Sequence, residues 1–83
     1  MNKALSDFSI DELHKFIGRN VSHLRRKAGL SQLQLSLEME NRSPSLLSSA
    51  EVYKNKRHFN IAQLHKIAKI LEIDICEFFK EQT

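Results

Sequence analysis

Apolar residues recur along this chain at three- and four-residue intervals. The longest stripe, Ile10, Leu13, Phe16, Ile17, Val21, Leu24 and Ala28, predicts a long amphipathic first helix. Its ends are legible. Ser9 with Glu12 three residues on makes a capping box, the serine hydroxyl meeting the Glu12 N–H while the carboxylate reaches back. Gly29 stops the helix because glycine enters the left-handed conformation without a Cβ clash, after a last turn of Arg25, Arg26 and Lys27 that suits the negative end of the helix dipole.

Ser31 and Gln34 form a second box, opening a two-turn helix over 32–39 with Leu33, Leu35 and Met39 inward. The polar stretch Glu40, Asn41, Arg42 is a turn. Ser43 and Pro44 then read as N-cap and first helical residue, so a third helix starts at 44 and passes through Leu46, Leu47, Ala50 and Glu51 to residue 52 or 53. Lys54, Asn55, Lys56, Arg57 and His58 make a basic loop. Asn60 caps a fourth helix with Ile61, Leu64, Ile67, Ala68 and Leu71 on one stripe, and Asp74 with Glu77 caps a short fifth that carries Ile75, Phe78 and Phe79. With no repeat, low-complexity run or linker, residues 9–83 are expected to form one all-α domain after a loose start over 1–8.

Composition narrows the function classes. The chain has 83 residues, too few to enclose a large active site, and its two glycines and one proline leave little turn chemistry for an all-β fold. Its net charge of +3 is unevenly spread. Residues 17–71 hold ten Lys or Arg against the acids Glu38, Glu40 and Glu51, a net of +7, while residues 1–16 sum to −1 and residues 72–83 to −3. An anionic partner would meet the middle of the chain. No apolar run approaches ~18 residues and no signal sequence opens the chain, so a cytoplasmic protein is expected, with Cys76 a small buried residue. His14, His23, His58 and His65 lack the spacing of a zinc site, no glycine-rich phosphate loop occurs and the serines fall at caps or in the third helix, so the expectation is a non-enzyme without metal, cofactor or small-molecule ligand.

Two short helices joined by a turn, the second opening on small polar residues, make a helix-turn-helix pattern. The run Leu24-Arg25-Arg26-Lys27-Ala28-Gly29-Leu30-Ser31-Gln32, then Leu35, Leu47-Ser48, Glu51 and Leu64-His65-Lys66-Ile67-Ala68, resembles the Cro and phage-repressor (XRE-like) family of DNA-binding domains, which includes controllers of restriction-modification genes. Residues 71–79 are similar to the family's fifth helix. The resemblance covers about residues 16 to 79 and implies a compact five-helix, lambda-repressor-like domain that binds double-stranded DNA as a transcriptional regulator, its third helix in the major groove.

Base-edge candidates are then Arg42, Pro44, Ser45, Ser48 and Ser49, a set poor in the side chains that make bidentate base contacts. Phosphate candidates are Gln32, where the family places a phosphate-binding glutamine, Ser43, and the loop residues Lys54, Asn55, Lys56 and Arg57. Arg25 and Glu51 match positions that pair between the family's first and third helices. A homodimer on a two-fold site is implied, with Ile75, Phe78 and Phe79 as candidate interface. Departures from the family pattern are a nineteen-residue step from Gln32 to Glu51, one more than usual, and Glu40-Asn41 where glycine and an apolar residue are common, which together predict a wider turn. A protein-interaction module on the same fold, such as an antitoxin-like partner or scaffold, is the alternative.

Overall fold

In the computed structural model, which describes residues 4–82, the caps expected at Ser9, Ser31 and Asn60 form. Ser9 Oγ accepts the Glu12 N–H at 3.1 Å and the Glu12 carboxylate accepts the Ser9 N–H at 2.9 Å, starting helix α1 (Ile10–Lys27). Ser31 and Gln34 start α2 (Gln32–Glu38) in the same way. The third helix, α3, is shorter than its pattern suggests, spanning Ser45–Ala50. Its N-cap is Pro44, not Ser43, and carries no side-chain cap; Ser43 Oγ accepts the Ser45 N–H at 3.2 Å from one residue further out. Asn60 with Gln63 makes a further box at the start of α4 (Ile61–Leu71).

Helices α1, α2 and α4 all end in a Schellman motif, with Leu30 N–H on Arg25 C=O, Asn41 N–H on Ser36 C=O and Ile73 N–H on Ala68 C=O. The left-handed residue is Gly29 in the first, but Glu40 (φ 66°) and Glu72 (φ 57°) in the others. The turn after α2, expected to be wide, is thus closed by the Asn41 N–H to Ser36 C=O bond.

The expected fifth α-helix is instead a 3-10 segment, Ile75–Phe79, so the chain has four α-helices among the described residues, with further 3-10 turns at Leu5–Asp7 and Lys54–Lys56. Asn20, buried on α1, donates its side-chain amide to Phe78 C=O at 2.7 Å and to Lys80 C=O at 2.9 Å, which ties the end of this segment to α1. Asp74 accepts from Cys76 N–H at 3.0 Å instead of forming a box with Glu77, whose carboxylate pairs with Lys80. Residues expected as a loose start include the Leu5–Asp7 turn and Phe8, whose ring packs on Phe16 at 5.3 Å; residues 1–3 lie outside the described residues.

The core joins Ile17, Val21 and Leu24 of α1 to Leu35 and Met39, Leu47 and Ala50, Phe59, Leu64, Ile67 and Ala68, and Phe78. Phe78 is wholly buried within the chain, which removes it from the candidate dimer surface, and Cys76 is exposed where a buried thiol was expected. Ile10, Leu33 and Ile61, assigned to inward stripes, are also exposed. Ile10 and Ile61 are the first residues of their helices, whereas Leu33 faces away from the buried Leu35 and shares the exposed side of α2 with Leu37. Gly18 has the opposite fate. A Cβ there would meet Ala50 O at 2.6 Å and Glu51 O at 2.7 Å, so only glycine lets α1 run this close to the backbone at the end of α3. Ala50 is fully buried at that point.

No helix among the described residues is long and apolar enough to cross a membrane.

Candidate nucleic-acid interface

Glu51 is the hub behind α3. It is nearly fully buried, and its carboxylate accepts from Arg25 Nε at 2.8 Å, from Arg25 Nη2 at 3.1 Å and from Gln32 Nε2 at 3.0 Å. Arg25 also donates from Nη1 to Leu30 C=O at 2.7 Å. One carboxylate therefore ties the last turns of α1, the first residue of α2 and the end of α3 together. A fork-to-fork pair of this kind fixes orientation as well as distance. Gln32 keeps one side-chain N–H beyond its bond to Glu51, and it is half-buried.

In front of this network the polar face of α3 is open. Arg42, Ser43, Ser45 and Ser48 are exposed, with Pro44 and Ser49 half-buried. The Ser48 hydroxyl donates to Ser45 C=O at 3.2 Å, so its lone pairs, not its hydrogen, are left for an outside group. A shallow depression at the head of the helix is lined by Asn41, Arg42, Ser43, Ser45, Leu46 and Gln63. Glu38 and Glu40 are exposed near the same turn.

The loop after α3 carries Lys54, Asn55, Lys56 and Arg57, all exposed. It is a tight 3-10 turn and not an open loop. Tyr53, Asn55 and Lys56 take left-handed φ values of 57°, 54° and 62°, which costs about 1–2 kcal/mol for a residue other than glycine or asparagine. Both ends of the turn are fastened to α1. The Tyr53 hydroxyl donates to Asp11, and the His58 ring stacks on His14 with centroids 3.8 Å apart and planes 19° from parallel. The His14 ring also stacks on Tyr53 at 5.6 Å. The Tyr53 hydrogen bond holds the Asp11 carboxyl below its ordinary value and pushes the phenol up, while burial first, and His58 second, depress His14. The sequence presents these histidines as isolated. His14 and His58 are 44 positions apart, so no spacing rule joins them.

At the C-terminal end, Ile75 and Phe79 are half-buried against the core, unlike the wholly buried Phe78. The exposed Cys76 thiol is pushed up by the Asp74 carboxylate beside it, which disfavours the reactive thiolate. Among the described residues no group of three or more His, Cys, Asp or Glu is arranged to hold a metal ion. Comparison with protein-family models and with curated proteins gives no match for this chain.

Proposed function

We propose that this chain is a sequence-specific DNA-binding regulator of the Cro and phage-repressor kind, with α2 and α3 as its helix-turn-helix and α3 entering the major groove. The observation that carries the reading is the setting of α3. Its rear is pinned by the buried Arg25–Glu51 pair, while the residues at its head and the four polar residues of the turn that follows are exposed and carry three positive charges on Lys54, Lys56 and Arg57. A rigid short helix flanked by cations suits a groove edged by phosphates.

In this reading Arg42, Ser45, Ser48 and Ser49 face base edges beside Pro44, and Gln32, Ser43, Lys54, Asn55, Lys56 and Arg57 hold the backbone. Serines discriminate bases weakly, so groove shape carries much of the specificity. One domain reads few base pairs, and two copies on half-sites about 34 Å apart supply the rest, joined through the exposed parts of Ile75 and Phe79. The fold serves repression and activation equally.

The test is duplex binding as a function of salt. Affinity falls log-linearly with salt, and replacing Lys54, Lys56 and Arg57 together by alanine lowers the slope by about 0.9 for each phosphate no longer neutralised. Undetectable binding to any duplex at ~50 mM salt refutes the reading. Sedimentation on and off DNA tests the dimer, which a strict monomer at high micromolar concentration refutes.

One observation favours a second reading, a protein-interaction module. Leu33 and Leu37 lie one turn apart on α2 and are 47% and 56% exposed, an apolar pair that phosphates would not use. Absence of duplex binding together with retained self-association would favour it.

A further inference from the structure

The turn after α3 is held in a shape that its own residues disfavour. Tyr53, Asn55 and Lys56 are all left-handed, and of these only asparagine visits that region readily. The holding interactions stand at the two ends of the turn and converge on the first turns of α1. Tyr53 is bonded to Asp11, and His58 lies flat on His14. We infer that Asp11 and His14 form a proton-sensitive clamp, which opens when the stacked histidines are both protonated and thereby releases the basic turn Lys54–Arg57 from its DNA-binding shape. The consequence for DNA rests on the function proposed above, whereas the clamp itself does not.

Neutral imidazoles stack favourably, but two imidazolium rings at 3.8 Å repel, and the half-buried position of His14 limits screening by water. His58 Nδ1 lies 2.9 Å from Lys56 C=O, an acceptor only, so this nitrogen carries the hydrogen and an added proton goes to Nε2. The titratable groups beside the pair are Asp11 on α1 and Tyr53 before the turn, and the charges of Lys15 and Lys56 act on Asp11. Asp11 favours a proton on His14, while burial and His58 oppose it and prevail, so His14 titrates below its ordinary 6.5. The released histidine binds its proton at higher pH than the clamped one. The clamp is therefore complete above about pH 6.5 and weakens as pH falls below that value.

The experiment follows the full chain by NMR from about pH 7.5 to about pH 5, a range that brackets an ordinary histidine titration. It records the histidine Cε1–H shifts and the heteronuclear NOE of the Lys54–Arg57 amides, with duplex affinity measured in parallel at about 0.1 M salt. The expected result is a drop in the NOE of these amides that tracks the His14 titration, with α4 unchanged. Duplex affinity falls about eightfold at that salt for each phosphate released. His14→Phe keeps a stacked ring that cannot ionise, so its turn stays ordered and its affinity does not fall at the acid end of the range. A turn that remains rigid while both histidines titrate overturns the clamp, whereas a turn that opens while affinity rises in acid, from the added charge of His23, His58 and His65, overturns its consequence for DNA. A turn that opens on schedule in a chain with no duplex affinity at any pH supports the clamp and refutes the DNA reading.

Discussion

Replacing Gly18 by alanine tests whether α1 approaches α3 as closely as the structure has it. In an exposed helix interior this change stabilises a protein by about 1 kcal/mol, because alanine has the better helix propensity. Here the new Cβ lies 2.6 Å from Ala50 O and 2.7 Å from Glu51 O, against an ordinary carbon contact of about 3.5 Å or more. Both neighbours are backbone and cannot rotate away. The helices must separate by several tenths of an ångström, and the shift is delivered at Glu51, whose bonds to Arg25 are 2.8 and 3.1 Å long. Overpacking of this kind costs about 1–3 kcal/mol, and strain on the buried pair places Gly18→Ala at the upper end. After the propensity gain, a net loss of about 1–2 kcal/mol is expected. Urea unfolding followed by circular dichroism reads it as a lower midpoint at unchanged slope, and a thermal scan as a fall of about 4–8 °C per kcal/mol. A variant as stable as the parent, or more stable, would refute the packing and with it the rigid rear support of α3.

Glu51→Ala leaves the buried Arg25 guanidinium without its carboxylate and is expected to cost about 3–5 kcal/mol in urea unfolding, whereas Arg25 and Glu51 replaced together by apolar residues of similar volume should cost much less. If the double replacement costs as much as the single, the pair is not the reason. Glu40→Gly is expected to raise stability by about 0.5–1 kcal/mol because the residue sits at φ 66°, and Glu40→Ala should bring no such gain in the same thermal scan. Ser36 is fully buried on α2 and its hydroxyl has no hydrogen-bond partner among the described residues, so Ser36→Ala should stabilise by about 1 kcal/mol. A loss of stability there would mean that the hydroxyl is satisfied.

Much of the local architecture can be read from the chain because its causes are local. Serine and glutamate three apart, asparagine before an apolar stripe, and glycine after a basic turn specify helix ends through groups within four residues of one another. The stripes of α1 and α4 likewise mark the buried middle of each helix. They mislead at the first turns, where Ile10 and Ile61 continue the period but lie beyond the packed core. The left-handed ends at Glu40 and Glu72 carry no sequence signal, because glutamate does not favour that conformation.

Determined by the sequence alone, then, are an all-helical chain, its capped starts, the concentration of positive charge between residues 17 and 71, and the pairing of Arg25 with Glu51 through family resemblance. The tertiary structure decided the rest. It tied Asn20 on α1 to the carbonyls of Phe78 and Lys80, buried Phe78, made Gly18 a point of close backbone approach, and set His14 against His58. The division has a physical reason. Capping and periodicity depend on neighbours along the chain, whereas these four features depend on groups far apart in sequence, from Gly18 and Ala50 to Asn20 and Lys80, whose meeting exists only once the helices have packed.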